Sequence, residues 1–309
     1  MSGPIRIVMG GYGPPATSHS RGLKLIGDRL QAEFGRGVDV KYVWNVMDFG
    51  YGGGDLLWMT EQGILTLTYQ STSYLTDRVP ELEFADLPFL FRDTGHARAA
   101  MDGALGACLS RKIEERFAYR LLGYFENGYR HITNRLRPVR TPADLAGMRI
   151  RLMPSQMHAR TFELLGAVPF ACDLKEGLEA IKSGAVDAQE NPFANTVTYG
   201  AHKCHRYVTL TSHCYMSRGL YLNRAAFDGW PAPLQAAMRR AAREAIVAQR
   251  EFAVKEEETA RKAIEAEGGE IVELTAKERE AFARAVRPLH EEARRRFGDE
   301  MFDHLRATG

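Results

Sequence analysis

Gly147-Met148-Arg149-Ile150-Arg151-Leu152-Met153-Pro154-Ser155 is the stretch whose reading decides the fold. Ile150 and Leu152 alternate with Arg149 and Arg151, the two-residue period of a strand with one apolar face. Pro154 has no N–H to donate and ends the ladder, and Ser155 follows as a natural N-cap for a helix starting near Met157. Arg151 therefore lies at the carboxyl end of a strand, just before a helix N-terminus. In open α/β sheets ligands bind beyond the carboxyl ends of the strands. A guanidinium there offers a planar, permanently charged fork that matches a carboxylate. From position alone, an edge-strand arginine facing water fits as well; the rest of the chain bears on the choice.

The 309 residues are 45% hydrophobic and 26% charged, with a formal charge of +2. That composition fits about two globular domains and leaves no electrostatic footprint for nucleic acid or an anionic membrane. No apolar run approaches the length of a bilayer span. The first residues, Met1-Ser2-Gly3-Pro4-Ile5-Arg6-Ile7-Val8, lack a basic region followed by an apolar one, so no secretory leader is visible. Cys108, Cys172, Cys204 and Cys214 show no CxxC spacing, and the extended run Tyr207 to Thr211 holds Cys204 and Cys214 too far apart for a bridge. Buried free thiols are expected.

Ile5-Arg6-Ile7-Val8-Met9 reads as a first strand, and a helix capped by Ser18 or Ser20 runs to Gly35. Val38 to Trp44 alternates as a strand, Asp55 to Gln62 forms a short helix stopped by Gly63, and Ile64 to Tyr69 is a buried strand. Thr94 to Phe117 reads as one helix. The second region repeats the plan. Met148 to Leu152 is a strand and His158 to Leu165 a helix. Val168-Pro169-Phe170 is a strand, Leu174 to Ile181 a helix closed by Gly184, and Ala185 to Asn191 a strand. Two βαβ lobes of similar plan result, each with a parallel sheet. The link Tyr119 to Asn134 is long and extended, with Gly128 placed to absorb a hinge rotation. Arg206 to Thr211 and Gly219 to Asn223 are return strands, and from Pro231 to about Gly268 a helix long enough to lie across both lobes follows. A short edge strand, Glu270 to Leu274, and a last helix from Lys277 to Leu305 close the chain.

Three polar residues fall at the carboxyl ends of strands: Arg130 on the crossover strand, Arg151, and Asn191. Two guanidiniums and an amide suit a carboxylate ligand. Glu190 is the nearest acid, and alternation points it away from Asn191. No GxSxG or helical HExxH occurs, and the His202, Cys204, His205, His213, Cys214 cluster has no established zinc spacing, so neither a catalytic set nor a metal or cofactor is expected. His213 either faces the same cleft or is a satisfied core histidine. Tyr12, Trp44, Ser71, Tyr74 and Tyr215 lie near strand ends and are expected to contact the far end of the ligand.

Gly128-Tyr129-Arg130, Asn134-Arg135-Leu136-Arg137-Pro138-Val139 and Thr141-Pro142-Ala143-Asp144-Leu145-Ala146-Gly147-Met148-Arg149-Ile150-Arg151 resemble the signature of TRAP-type solute-binding proteins, the DctP family. The likeness continues through Leu165-Gly166-Ala167, Gly184-Ala185-Val186-Asp187 and Gln189-Glu190-Asn191-Pro192, with Leu87-Pro88-Phe89-Leu90-Phe91 upstream. The resemblance implies an α/β, two-lobed periplasmic binding protein with hinge strands and a long helix spanning both lobes. Its lobes are expected at residues 1–127 with about 216–254, and at 128–215 with about 255–309, the ligand cleft lying between them. It also implies a periplasmic monomer that closes around a small organic acid and delivers it to the membrane permease subunits of a sodium-driven TRAP transporter. In the family the arginine matching Arg151 pairs with the ligand carboxylate, the one matching Arg130 assists, and the asparagine matching Asn191 hydrogen-bonds the ligand. An aromatic wall commonly precedes the position of Glu176, where this chain has Leu174. A two-lobed α/β enzyme and a carboxylate-sensing receptor are the other classes that the residues admit.

Overall fold

A computed structural model describes residues 3–306. In chain order the strands are β1 (Ile5–Gly10), β2 (Val38–Val43), β3 (Leu67–Ser71), β4 (Tyr119–Asn134), β5 (Arg149–Leu152), β6 (Val168–Ala171), β7 (Ala188–Asn191), β8 (Tyr207–Asn223) and β9 (Glu270–Val272). The α-helices are α1 (Ser18–Phe34), α2 (Asp55–Glu61), α3 (Thr94–Asp102), α4 (Ala104–Arg116), α5 (Gln156–Leu164), α6 (Leu174–Ser183), α7 (Phe193–Thr198), α8 (Arg224–Asp228), α9 (Ala232–Ala266) and α10 (Ala276–Arg306). The chain forms two compact units, residues 3–72, 106–126 and 217–255 in the first, and 73–105, 127–216 and 256–306 in the second.

Each unit is built on the same parallel motif. In the first, β1 lies between β2 and β3, parallel to both, and β3 pairs antiparallel with the last residues of β8. In the second, β5 lies between β6 and β7, parallel to both, and β7 pairs antiparallel with the last residues of β4. The echo between the two halves of the sequence is therefore a repeat of topology. Both βαβ turns obey the local signals: Ser155 caps α5 by accepting from the His158 amide, and α6 ends at Gly184 in the left-handed region. Capping of α1 differs from expectation, because Thr17, rather than Ser18 or Ser20, accepts from the Ser20 amide.

β4, β8 and α9 each begin in one unit and end in the other. β4 carries Gly128 at φ 90° and β8 carries Ser212 at φ 44°, two left-handed residues in otherwise extended strands. The two return strands of the sequence reading are one continuous strand, β8. The helix expected from Thr94 to Phe117 is broken at Gly103, giving α3 and α4. α9 spans 35 residues, about 50 Å at 1.5 Å per residue. In its acidic stretch Glu257 accepts from the amides of Phe193 and Ala194 at the start of α7.

Residues 73–105 group with the second unit, whereas the sequence division assigns them to the first. The reason is a set of side-chain ties. Asp86 accepts from Ser73 Oγ at 2.8 Å and from Ser155 Oγ at 3.0 Å, and Phe84 packs edge-on against Phe302 of α10. Tyr129 donates to the Phe91 carbonyl.

Gly123, on the first-unit part of β4, has φ 122°, and a Cβ there would approach Ile246 Cδ1 of α9 to 2.6 Å. Gly123→Ala is expected to lower stability by about 2 kcal/mol through backbone strain and overlap. Urea unfolding checks this, and an unchanged midpoint would show that the strand tolerates the change.

Candidate functional site

The register of the second unit decides which side chains meet. Arg151 stands beside Gln189 on one flank and Phe170 on the other, in parallel pairs whose side chains share a face. Asn191, two residues beyond Gln189, is on that face too. The Arg151 side chain is 4% exposed. One terminal nitrogen donates to the Cys172 carbonyl at 2.8 Å, while Nε is buried without a partner. Among the described residues no carboxylate forms an ion pair with it. Its stem and Nε lie against Gly177 of α6, where a Cβ would overlap them. Glycine at 177 is thus the space that the guanidinium occupies.

A charged group taken out of water costs several kcal/mol unless a counterion or a full set of hydrogen bonds replaces the water. Arg130 shows the satisfied case. It is 1% exposed and its guanidinium is clamped by Glu190, Nε to Oε2, one terminal nitrogen to Oε1 at 2.7 Å and to the Glu190 carbonyl at 2.6 Å. Arg130 and Glu190 are diagonal neighbours across the β4–β7 pair, where Ile132 is opposite Glu190. They occupy the face of β7 opposite to Asn191. Arg130, expected to assist at the ligand, thus holds an internal ion pair with Glu190, the acid nearest to it in the sequence reading.

His213 belongs to that pair: Nδ1 shares a hydrogen bond with Thr211 Oγ1 at 2.7 Å and Nε2 faces Glu190 Oε2 at 3.2 Å. Of the two readings left open for His213, the satisfied core histidine is the one observed. Tyr215 is likewise a core residue, packed edge-on against Phe91 and Tyr129. Tyr74 is half-buried, and its hydroxyl donates to Asp173 Oδ1 at 2.9 Å. Burial first, then Asp173, outweigh the lowering by Arg151 and raise the Tyr74 phenol well above its ordinary value. Burial raises the Cys172 thiol above its ordinary value, with the charge of Arg151 acting against it. Asn191 donates to Gln189 Oε1 at 2.5 Å, and Gln189 donates onward to Thr133 and Thr196.

Tyr12, Trp44 and Ser71 belong to the first unit. Trp44 stacks on Tyr42 with ring centres 4.3 Å apart, and Tyr12 lies 5.4 Å from Tyr69. Ser71 ends β3 directly opposite Arg218 of β8. Arg218 was not singled out in the sequence, nor were Phe170 and Asn127. Asn127, on β4, is buried with neither amide atom partnered. The signal for Arg218 was present: an arginine inside the apolar strand Cys214 to Leu222, as Arg151 is inside its own. The four cysteines are free thiols, three buried and Cys204 partly so, as expected. Among the described residues no group of three or more His, Cys, Asp or Glu is placed to hold a metal, and no helix is long and apolar enough to cross a membrane.

Two consequences are measurable. Gly177→Ala puts a better helix former into α6, so the fold is expected to keep or gain stability, while the displaced Arg151 loses its position and any acid binding falls at least about tenfold. Unfolding and calorimetry on one preparation check both halves, and unchanged affinity would contradict the packing argument. The second concerns pH. Burial, then electrostatic interaction with His213, Arg279, Arg261 and Arg130, push His131 down to about 3, and burial with Arg135 pushes His205 to about 4. Unfolded, both titrate near 6.5. Between these values the unfolded chain binds more protons, so stability present above pH 6.5 is lost as pH falls, on the order of 1 kcal/mol per unit for each group. For Glu190, burial acts upward, but Arg130 and the His213 contact outweigh it and hold the carboxyl far below 4.5. Its contribution survives to below pH 4.5. Tm should therefore fall from pH 7.5 to pH 5, less steeply in His131→Gln; a flat profile would contradict neutral burial of these imidazoles.

Comparison with known proteins follows the same lines. The family described as bacterial extracellular solute-binding protein, family 7 (DctP) matches residues 50–296. The chain is 31% identical to the 2,3-diketo-L-gulonate-binding periplasmic protein YiaO of Escherichia coli K12 over 72% of this chain and 67% of that protein. It is 30% identical to the C4-dicarboxylate-binding periplasmic protein DctP of Rhodobacter capsulatus, over 74% and 69%. The crystal structure of a TRAP periplasmic solute-binding protein from Polaromonas sp. JS666 bound to D-erythronate superposes with a TM-score of 0.91 at 28% identity, covering 98% of each chain.

Proposed function

Because this chain belongs to family 7 of the bacterial extracellular solute-binding proteins, the DctP family, we propose that it captures a small organic acid by the carboxylate and that Arg151 holds that carboxylate. The observation that carries the reading is a buried guanidinium with no acid of its own. The ligands named for the three relatives differ in length and in oxygen content, and a carboxylate is what they share. An incoming carboxylate supplies the counterion that the fold withholds from Arg151. Part of the desolvation of the guanidinium is then already met on folding, which is preorganisation for binding.

The neighbours divide the work. Gly177 and the Cys172 carbonyl fix the fork, and the Asn191 amide on the same face donates to the ligand. Phe170 and Tyr74 flank it, in place of the aromatic wall missing at Leu174. Arg130 acts through the Glu190 ion pair, holding β4 and β7 in register so that Asn191 and Arg151 share one face. Tyr12, Trp44 and Ser71 are assigned to the remainder of the acid. The protein binds and releases rather than transforms its ligand, works in the periplasm as a monomer, and hands the acid to the permease subunits of a TRAP transporter.

The test is calorimetry against a panel of small organic acids, with recovered ligand identified by mass. Arg151→Met should lose at least about a hundredfold in affinity with the fold intact, and Arg151→Lys at least about tenfold, because an ammonium makes no two-pronged contact. Wild-type affinity in Arg151→Met, or recovery of a converted product, would overturn the reading.

A further inference from the structure

Asp86 is an acid taken out of water, 2% exposed. Among the described residues no arginine or lysine pairs with it, and the one imidazole near it, His158, has Nε2 at 3.9 Å from Oδ1. Burial, outweighing the attraction of Asp86, lowers the pKa of that imidazole. Both carboxylate oxygens are in use: Oδ1 accepts from Ser73 Oγ at 2.8 Å and Oδ2 from Ser155 Oγ at 3.0 Å. A carboxylate accepts and cannot donate, so both hydroxyl protons are turned toward it. Ser155 Oγ then keeps a lone pair for the His158 amide, the capping bond of α5 at 3.3 Å. Burying a carboxylate without a cation costs several kcal/mol, which hydrogen bonds offset only in part. Packing alone gives no reason for it; fixing the direction of two hydroxyls does.

The two serines reach Arg151 by separate routes. Ser155 ends the turn that follows β5, four residues beyond Arg151. Ser73 adjoins Tyr74, whose hydroxyl donates to Asp173, and Asp173 follows Cys172, whose carbonyl accepts from the Arg151 guanidinium. The ties thus close into a ring that starts and ends at Asp86 and passes through Arg151. Every member of it belongs to the second unit. The limbs also meet in the core, where Met153 of the turn packs with Cys214 and Met216, and Tyr74 lies against that cluster.

We propose that Asp86 is a positioning residue of the acid site, setting Arg151 and Tyr74 against one another through Ser155 and Ser73 without touching the ligand. This rests on the reading of Arg151 above. A binding group held by a closed set of hydrogen bonds keeps its geometry in the ligand-free protein, and opening the set at one point loosens all of it.

Calorimetry on the full chain tests it, with D-erythronate, succinate and D-galacturonate as probes. At least one should bind the wild type, and Asp86→Ala should weaken that binding at least about tenfold. Asp86→Asn, which can still bond both serines by donating to one of them, should recover most of the loss. Tyr74→Phe removes one tie of the ring. It should weaken the wild type about threefold or more and add almost nothing in Asp86→Ala, where the ring is already open. Ser73→Ala, which cuts one tie and spares the α5 cap, replaces Asp86→Ala if that variant does not fold. Gly123→Ala, destabilised away from the ring, should keep wild-type affinity. Wild-type affinity in Asp86→Ala or its replacement, no recovery in Asp86→Asn, additive losses with Tyr74→Phe, or an equal loss in Gly123→Ala would make Asp86 a stabilising group only and overturn the assignment. Arg151→Met separates the two proposals. Binding lost there but intact in Asp86→Ala removes the positioning role alone. Binding retained in Arg151→Met removes the reading of Arg151 and the role that rests on it, and failure of all three probes to bind the wild type counts against both.

Discussion

A buried positive charge without an internal counterion is the constraint on which the rest of this structure depends. Arg151 is enclosed by the fold, touches one carbonyl, and is denied an acid. Such a group is expensive in the ligand-free protein. Its surroundings explain how it persists. A parallel strand pair fixes its direction, glycine at 177 gives it room, and the short turn Met153-Pro154-Ser155 ends the strand just beyond it. The geometry of an open α/β sheet, in which strand ends collect at one edge, leaves this local imbalance at the strand ends, where the proposed carboxylate would enter.

The Arg130–Glu190–His213 cluster is the counterpart. It uses the same chemistry to opposite effect, with every charge matched inside the protein and both imidazole nitrogens engaged. It lies on the far face of β7 from Asn191 and ties β4 to β7. The two arginines of one sheet thus have different work, set by which face of the strand each one occupies.

Much of this was legible in the sequence. The strand ending at Arg151, the Ser155 cap, the crossover strand from Tyr119 to Asn134 and the repeated βαβ plan all rest on short-range signals, namely alternation, capping and glycine stops. The placing of Arg151 and Asn191 at strand ends was legible as well; their shared face comes from the register of β5 against β7. What escaped was long-range. The pairing of Arg130 with Glu190 depends on the register of β4 against β7, which residues 60 apart in the chain do not reveal. The satisfaction of His213 depends on the same pairing. The grouping of residues 73–105 with the second unit depends on Asp86 and Phe84 finding partners far along the chain. Gly103 was weak as a helix breaker by composition alone, and the union of two strand candidates into β8 required Ser212 to accept a left-handed conformation.

The sign of a stability change tests the central claim most directly, with no ligand present. Urea unfolding of ligand-free Arg151→Met and Arg130→Met is the comparison. Removing Arg130 strands the Glu190 carboxylate and should cost about 3–5 kcal/mol, whereas removing the unpaired charge of Arg151 should leave stability unchanged or raise it by about 1 kcal/mol or more. Equal losses in the two variants would mean that Arg151 is already compensated within the fold, and would contradict its role as a site waiting for an anion.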